Sequence, residues 1–260
     1  MSNIEKILEN VNLPKQLLDK SEALLKTLFG PSFNEAGEMI ADQVRLRRFT
    51  NQIKIFSKAV GKLEQNKIDP NKVNLKVLAP LIEYSSLEEE DSLQDKWSNL
   101  IAHILGGDKD IVFQQNCISI LNKLSSSEAK LLDELHERLC QRRNKRHADD
   151  VVKHTARLSA GVRYWSTPPS TPEGYRLSYF SFNVFRLSKE LKVSRSELEF
   201  GISNLISLGL LMWETDVQVQ AEKSLGDPED TDIDVNVDVS NTDNFTFTSI
   251  GDRFVKICKE

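Results

Sequence analysis

The chain has 260 residues, of which 39% are hydrophobic and 28% are charged, and its formal net charge is -5. This composition suits a globular protein with two cores and excludes a disordered chain, and the negative balance argues against a protein that coats nucleic acid. No apolar run approaches the roughly 20 residues of a membrane-spanning helix and the N-terminus lacks a signal-peptide pattern, so we expect a cytoplasmic protein without a membrane segment.

The first predicted elements are amphipathic helices. Apolar residues recur at helical spacing over residues 3–29 and again over about 34–65, which predicts one or two short helices and then a long one. Within the long helix, six apolar residues follow the heptad pattern of a seam that suits one long partner helix. These residues are Leu46, Phe49, Ile53, Phe56, Val60 and Leu63. The partner is either another helix of this chain or a second copy, and the sequence leaves both open.

The long helix is basic, and the segment that follows it is acidic. Residues 45–67 contain seven positive residues and one negative, whereas residues 83–96 contain six negative residues and one positive. We interpret the opposite charges as mutually complementary or as two solvated faces. A phosphate or nucleic-acid footprint on the basic helix is the weaker hypothesis, because no aromatic residues that could stack bases are interleaved with its charges.

Two further helices are predicted over residues 74–105, joined at an acidic corner near Ser86. Ser86 and Glu89 have the spacing of a capping box, which would start the second helix. The acidic residues 88–91 would then lie in its first turn, where the helix dipole favours negative charge. Pro80 belongs to the preceding helix, and a proline is tolerated there only in the first turn or at a kink.

A helix over residues 111–123 completes a helical domain, residues 1–124, and the composition then changes. Ser125 and Glu128 form another capping box ahead of a leucine-rich helix. The stretch 141–163 that follows is a basic insert with seven positive residues and two negative. Its candidate contact patch is Arg142, Arg143, Lys145, Arg146, Lys153 and Arg157.

The C-terminal domain, residues 125–260, has the element order of a winged helix-turn-helix. The prolines of residues 166–174 predict a loop, and alternating aromatic residues over 175–182 predict a strand. A helix over Val184–Leu191, a second helix capped by Ser194, a hairpin and a last helix follow. The predicted fold class is therefore mainly α: an N-terminal helical bundle with a long helix, followed by a winged helix-turn-helix-like α+β domain.

Two segments of this domain, SNLISLGLLMWE and FTFTSIGDRFVKIC, resemble segments of bacterial winged-helix modules. A winged helix that reads DNA needs a basic or polar recognition helix and wing. Here the second helix of the turn motif has one arginine against two glutamates, and the acidic wing loop, residues 221–243, has eight acidic residues against one lysine. We therefore expect contact with a protein partner or with a second copy in a homodimer, and we disfavour nucleic acid. A DNA-binding regulator that uses the basic insert is the alternative.

No residues predict catalysis or a bound cofactor. The three cysteines, Cys117, Cys140 and Cys258, are far apart and form no CxxC pair, so neither a disulfide framework nor a zinc site is expected. His147 and His154 do not make a metal site, and we interpret them as a solvated pair. The motifs of nucleotide and serine hydrolases are absent. The sequence thus predicts no enzymatic activity, cofactor, metal or small-molecule substrate, with a hydrolase or nuclease of another type as the weakest hypothesis.

The central stretch VLAPLIEYSSLEEEDSLQDKWSNLIAHIL resembles the signature of the abortive infection alpha family, bacterial proteins named for abortive phage infection. The matching residues are Pro80, Leu81, Glu83, Ser85, Ser86, Glu88, Asp91, Leu93, Trp97 and Leu100. Near the end of the chain the resemblance extends to Thr248, Gly251, Phe254 and Cys258. The resemblance implies a role in antiphage defence, and it supplies no catalytic residue that could be carried over to this chain.

Overall fold

The computed structural model describes residues 43–107, 109–161, 167–223 and 233–259. In these residues, eight α-helices accompany one antiparallel sheet of three strands, so the predicted fold class, mainly α with a small α+β part, is confirmed. The chain forms two compact units. The first contains the described residues up to Asp133 together with 254–259, and the second is Glu134–Arg253. The helices predicted over residues 3–29, and the start of the long helix, lie outside the described residues.

The first unit is a helical bundle. Its helices are α1 (Gln43–Gln65), α2 (Leu75–Ser85), α3 (Asp91–Leu105), α4 (Ile111–Lys123) and the first turns of α5 (Ser126–Ser159). α1 packs on α3, and α2 packs on α4. Phe56 and Trp97 are among the largest fully buried side chains of the core. Over the described helices, no stretch combines the length and the hydropathy that a bilayer-spanning segment requires.

Most of the described heptad-seam residues of α1 are buried within their own chain. Of the predicted seam residues whose side chains are described, Ile53, Phe56 and Leu63 are buried, and Phe49 and Val60 are half-buried. The neighbouring Ile55 and Ala59 are also fully buried, so the apolar face of α1 is wider than a seam for one helix. Self-association through the seam stays a prediction, and only its half-buried members are available for it.

Complementary charges connect α1 with α3, as one of the two interpretations of the sequence predicted. Lys58 Nζ lies 2.7 Å from a carboxylate oxygen of Asp95. Lys62 donates to the Ser98 hydroxyl over 2.9 Å and also to the side-chain carbonyl of Asn99. Burial lowers the pKa of Lys62 below its ordinary value, because the charged ammonium has lost part of its hydration.

The predicted capping box at Ser86 is wrong. Ser86 stands at the C-terminal end of α2, where its backbone N–H bonds to α2 carbonyls and its hydroxyl donates to the Glu83 carbonyl over 2.6 Å. The same hydroxyl accepts from Arg48 Nε of α1 over 2.9 Å. Because α2 and α1 engage these groups, Ser86 is not available to start the next helix. α3 begins at Asp91, the only member of the acidic run in its first turn.

Pro80 lies in the interior of α2 rather than in its first turn. A proline has no N–H to donate to the carbonyl four residues earlier, which here belongs to Lys76. The side-chain amide of Gln115 in α4 donates to that carbonyl over 3.4 Å. A neighbouring helix therefore supplies the hydrogen bond that Pro80 cannot make.

α5 is a single helix that runs through most of the predicted basic insert. The capping box before it is confirmed, because the Ser125 N–H donates to the Glu128 carboxylate over 2.9 Å and the Glu128 N–H donates to the Ser125 hydroxyl over 3.3 Å. The stretch 141–159 contains no glycine or proline, so nothing in it ends the helix before Ser159. The described part of the basic stretch is thus the second half of one helix, and Arg163 lies outside the described residues.

The second unit contains a helix pair and the sheet. Its elements after α5 are β1 (Phe182–Asn183), α6 (Val184–Leu191), α7 (Arg195–Ser207), β2 (Leu211–Lys223), β3 (Ile233–Phe247) and the start of α8 (Ser249–Lys259). β3 is the middle strand and pairs antiparallel with β1 on one side and β2 on the other. Much of the predicted acidic wing loop, residues 221–243, is therefore strand rather than loop. The winged-helix assignment of this unit stays a prediction.

The strand predicted over residues 175–182 is wrong over most of its length. A short 3-10 helix at Leu177–Tyr179 occupies its middle, and only Phe182 takes part in the sheet, opposite Phe245. Tyr175 is buried and packs edge-on against a histidine of α5. Tyr175, Phe180 and Phe182 are buried whereas Tyr179 is exposed, so the alternation of aromatic residues does not separate a buried face from a solvated one as it would in a strand.

The two segments that resemble winged-helix modules contact each other. Gly209, with a φ of +74°, stands two residues after the end of α7, and the Thr248 hydroxyl donates to its carbonyl over 2.6 Å. The same hydroxyl accepts from the Gly251 N–H over 2.9 Å and so caps α8. A Cβ on Gly251 would lie only 2.0 Å from the Leu210 carbonyl oxygen. Glycine is needed at this position because the first turn of α8 touches the backbone that leaves α7.

Candidate functional site

Short-range caps position α6 and α7. The Asn183 side chain accepts from the Arg186 N–H over 3.1 Å, and the Ser194 hydroxyl accepts from the Glu197 N–H over 3.2 Å, which confirms the predicted cap of α7. Between the two helices Lys192 adopts a left-handed turn with a φ of +56°. α7 is anchored by one buried stripe, formed by Leu198, Ile202 and Leu205.

The outward face of α7 lies opposite this buried stripe. Its residues are Ser196, Phe200, Ser203 and Ser207, and all of them are exposed. Phe200 has 70% of its surface exposed, and none of the four residues is charged. A large aromatic side chain surrounded by small polar residues has the composition of a protein contact that is anchored by one residue.

The charges around the outward face are acidic or neutralised. Arg195 is the only cation of α7, and its guanidinium contacts Glu199 over 2.7 Å and Asp243 over 3.0 Å. The sequences of β2 and β3 contain six acidic residues against Lys223 alone. Phosphate contacts need lysine or arginine side chains that are free to leave their partners. The outward face is therefore poorly suited to a DNA backbone.

The structure distributes the six residues of the predicted basic patch over different surroundings. Arg143 cannot belong to a contact patch, because only 3% of its surface is exposed and its guanidinium is paired with Asp252 over 2.9 Å. Arg142 donates to the Ser181 carbonyl over 2.8 Å and lies over the Phe182 ring. Lys145 is exposed. These three residues do not come together.

Arg146, Lys153 and Arg157 line one cavity. Their spacing places them on one stripe of α5, because seven and eleven residues are close to whole numbers of helical turns. The opposite wall is residues 167–179, which contribute Arg176 and other side chains. We call this space the cationic cavity. Its volume is about 450 Å³, which lies within the range of small-molecule sites.

Two contacts attach the opposite wall to α5. His147 Nε2 lies 3.0 Å from the Pro169 carbonyl oxygen, and the Tyr175 hydroxyl donates to the Asp150 carboxylate over 2.8 Å. Burial, together with the Asp150 hydrogen bond, raises the pKa of Tyr175 above its ordinary value. The interpretation of His147 and His154 as a solvated pair is wrong for His147, which bonds to this wall. His154 lines the cavity.

Positive charge is in excess in the cationic cavity. Among the described residues that line it, the arginine and lysine residues are Arg146, Lys153, Arg157 and Arg176, against one carboxylate, Asp150. That carboxylate already accepts the Tyr175 hydroxyl and lies 3.7 Å from Arg146 Nε. Within the part of the chain that the structure describes, Lys153 and Arg176 contact no carboxylate. The cavity is therefore suited to an anion.

Sequence reasoning missed Arg176 and Tyr179, which line the cavity beside the predicted patch. Both residues lie in the segment that the aromatic alternation assigned to a strand. A strand would have placed successive side chains on opposite faces, whereas the 3-10 turns bring these two residues to the same cavity. The basic Arg176 next to a proline-rich loop was the available signal, but the sequence gives no distance between that loop and α5.

A buried ion-pair network connects α5 with the start of α8. His136 Nε2 lies 3.1 Å from an Asp252 carboxylate oxygen, and Cys140 Sγ lies 3.7 Å from His136 Nδ1. This chain of contacts resembles the order of a nucleophilic triad, but His136 is buried and the Asp252 carboxylate also binds Arg143. We interpret it as structural. Among the described residues, no group of three or more histidine, cysteine or acidic side chains could hold a metal ion.

A family model described as abortive infection alpha matches residues 41–258. The match covers α1 to α8, and so includes both surfaces described above. No curated protein and no solved structure matches the chain.

Proposed function

Because this chain belongs to the abortive infection alpha family, we propose that it is a cytoplasmic protein of bacterial defence against phages. We further propose that it acts without catalysis, through contact with a protein partner at the outward face of α7. The family match supports the defence role, and the exposure of Phe200 supports the mode of action.

The single observation that carries the proposed contact is the 70% exposure of Phe200 on an uncharged helix face. Aromatic residues contribute a large share of the binding energy in protein interfaces when a partner encloses them. Glu199 of α7 and Asp243 of β3 lie beside this helix, and these carboxylates would attract a partner with a basic rim. We therefore propose a partner that offers an apolar pocket for Phe200 and positive charge around it.

The same face argues against the alternative, a DNA-binding regulator. In a winged helix that reads DNA, the helix equivalent to α7 enters the major groove. Here the only cation of that helix, Arg195, is paired with two carboxylates. The basic half of α5 supplies cations, but Arg143 is buried and three others line a cavity rather than a continuous ridge.

Plaque assays with bacteria that express the Phe200→Ser variant test the proposed contact. We expect the variant to fold like the wild type, because the side chain is exposed, and to lose protection, because a lost interface anchor weakens binding by about thirtyfold. A pull-down from infected and uninfected cells should recover a protein with the wild type and not with the variant.

The control is Val152→Ser, since Val152 is an equally exposed apolar residue, 68%, on α5. It should keep both protection and the partner. If Phe200→Ser protects as well as the wild type, contact at the outward face is disproved. If neither the wild type nor any variant protects, the defence role itself fails.

A further inference from the structure

The cationic cavity is not used by the proposed contact at α7, and its lining suggests a ligand of its own. We propose that it binds a phosphorylated nucleoside, either a free nucleotide or the phosphorylated end of a nucleic-acid strand. This inference does not depend on the proposed protein contact, because it involves different residues of the second unit.

Positive charge lines both walls of the cationic cavity. Arg146, Lys153 and Arg157 form one stripe of α5, which spans about 17 Å between the first and the last. Arg176 faces them from the opposite wall. The stripe is too long for all of its cations to meet one phosphate group, so we assign the phosphate oxygens to Lys153 and Arg176, on opposite walls, and Arg146 stays beside Tyr179.

The affinity of the cavity for a phosphate also depends on whether its cations already have carboxylate partners. Asp150, the one carboxylate of the cavity, is engaged by the Tyr175 hydroxyl and lies beside Arg146. In the described parts of the chain nothing neutralises Lys153 or Arg176, and both are exposed. A phosphate would therefore bind these two cations without breaking an existing ion pair. Binding to arginines that are already paired would cost the free energy of separating those pairs.

The cationic cavity also contains an exposed aromatic ring. Tyr179 lines the cavity, has 53% of its surface exposed, and carries the Arg146 guanidinium at 4.8 Å from its ring centre. One face of the ring is thus held by α5, and the exposed remainder can stack against a base. Phosphate-binding cations beside a stacking ring are the chemical combination that recognises a nucleotide rather than free phosphate.

The volume of the cationic cavity limits the size of its ligand. A volume of about 450 Å³ holds a mononucleotide but not a folded protein segment or a duplex. Contact between Pro169 and Gly174 keeps the opposite wall close-packed, since a Cβ on Gly174 would lie 2.6 Å from Pro169 Cβ. The cavity is therefore a formed recess between two packed walls.

Calorimetric titration of the full chain at low salt tests this inference with four probes: pyrophosphate, adenosine, ADP and a short 5′-phosphorylated single-stranded oligonucleotide. We expect ADP to bind more tightly than pyrophosphate, and adenosine to bind most weakly. Binding of ADP places the ligand among free nucleotides. If the oligonucleotide binds and ADP does not, the ligand is the phosphorylated end of a nucleic-acid strand.

Three variants make the test specific. Lys153→Glu and Arg176→Glu should each weaken nucleotide binding by about tenfold to hundredfold, because each removes a charged hydrogen-bond donor. Tyr179→Leu should lower ADP binding to the level of pyrophosphate and leave pyrophosphate binding unchanged. The control is Lys145→Glu, an exposed charge change on the same helix that does not line the cavity.

Melting curves should show that all four variants keep the wild-type fold, since the replaced side chains are exposed. The inference is overturned if neither ADP nor the oligonucleotide binds the wild type, or if pyrophosphate binds as tightly as they do. It is also overturned if Lys145→Glu weakens binding as much as Lys153→Glu, because the effect would then come from overall charge. Because plaque protection is a separate readout, failure here leaves the proposed function untouched.

Discussion

Gly251 shows how a single residue of the second unit is constrained by backbone rather than by side chains. It follows Thr248, whose hydroxyl joins the start of α8 to the end of α7, and it lies against the Leu210 carbonyl. This contact gives a physical reason for the threonine and glycine of the closing segment. A short motif that looked like a family signature is in this structure a packing requirement.

We expect Gly251→Ala to destabilise the protein by about 3 kcal/mol, because its Cβ would overlap a carbonyl that has no room to move. Urea unfolding followed by circular dichroism measures this loss. The matched control is Gly61→Ala in α1, where a Cβ meets nothing within 4 Å. That change should stabilise the protein by about 0.5–1 kcal/mol, the usual gain for alanine in a helix. Equal stability of the two variants would contradict the close contact.

At the scale of single elements, α1 is the helix whose sequence allowed two partners. Phe56 is fully buried in the core of the first unit, whereas Lys58 is partly exposed and pairs with an exposed carboxylate of Asp95. The two residues are neighbours on one helix, where Phe56 is a buried ring and Lys58 is a partly exposed cation. α1 is thus the element in which packing and surface charge can be compared directly.

We expect Phe56→Ala to lower the free energy of unfolding by about 3–5 kcal/mol, because it leaves a large cavity in the core. Lys58→Ala should lower it by at most about 1 kcal/mol, because an exposed ion pair is screened by solvent. Denaturant titration of both variants measures the difference. A small effect of Phe56→Ala would show that the helix does not depend on this core.

Self-association through α1 is decided by a separate measurement. Only Phe49 and Val60 of the described seam residues retain exposed surface. Light scattering of the wild type at high concentration reports the molar mass, and Val60→Asp should halve that mass only if a second copy covers the seam. A monomer in both cases assigns the seam entirely to its own chain.

At the scale of the whole molecule, charge is unevenly distributed over a chain of net charge -5. In the described residues, the cations that sequence analysis grouped into one patch are divided between a buried pair, a helix surface and a cavity. The strands beside α7 are acidic. Neither the divided patch of α5 nor the surroundings of α7 therefore offer a broad basic surface that could follow a DNA backbone.

We accordingly expect no retardation of double-stranded DNA by the full chain at low salt, where electrostatic binding is strongest. A gel-shift titration with a duplex that has no 5′ phosphates measures this and avoids the proposed cavity ligand. A salt-sensitive shift that is lost in the Lys153→Glu variant would contradict the expectation and restore the DNA-binding alternative.

The amino-acid sequence by itself predicted the helix Ile111–Lys123, the first half of α5, the helices α6 to α8, the caps at Ser125 and Ser194, and the mainly α class with a small sheet. These features were predictable because helical periodicity and caps depend on residues within a few positions of one another. Only the tertiary structure decided the role of Ser86, the burial of Arg143 and the meeting of Arg176 with α5. In each case a side chain has several chemically equivalent partners, and the partner that it meets lies on another element whose distance the sequence does not encode.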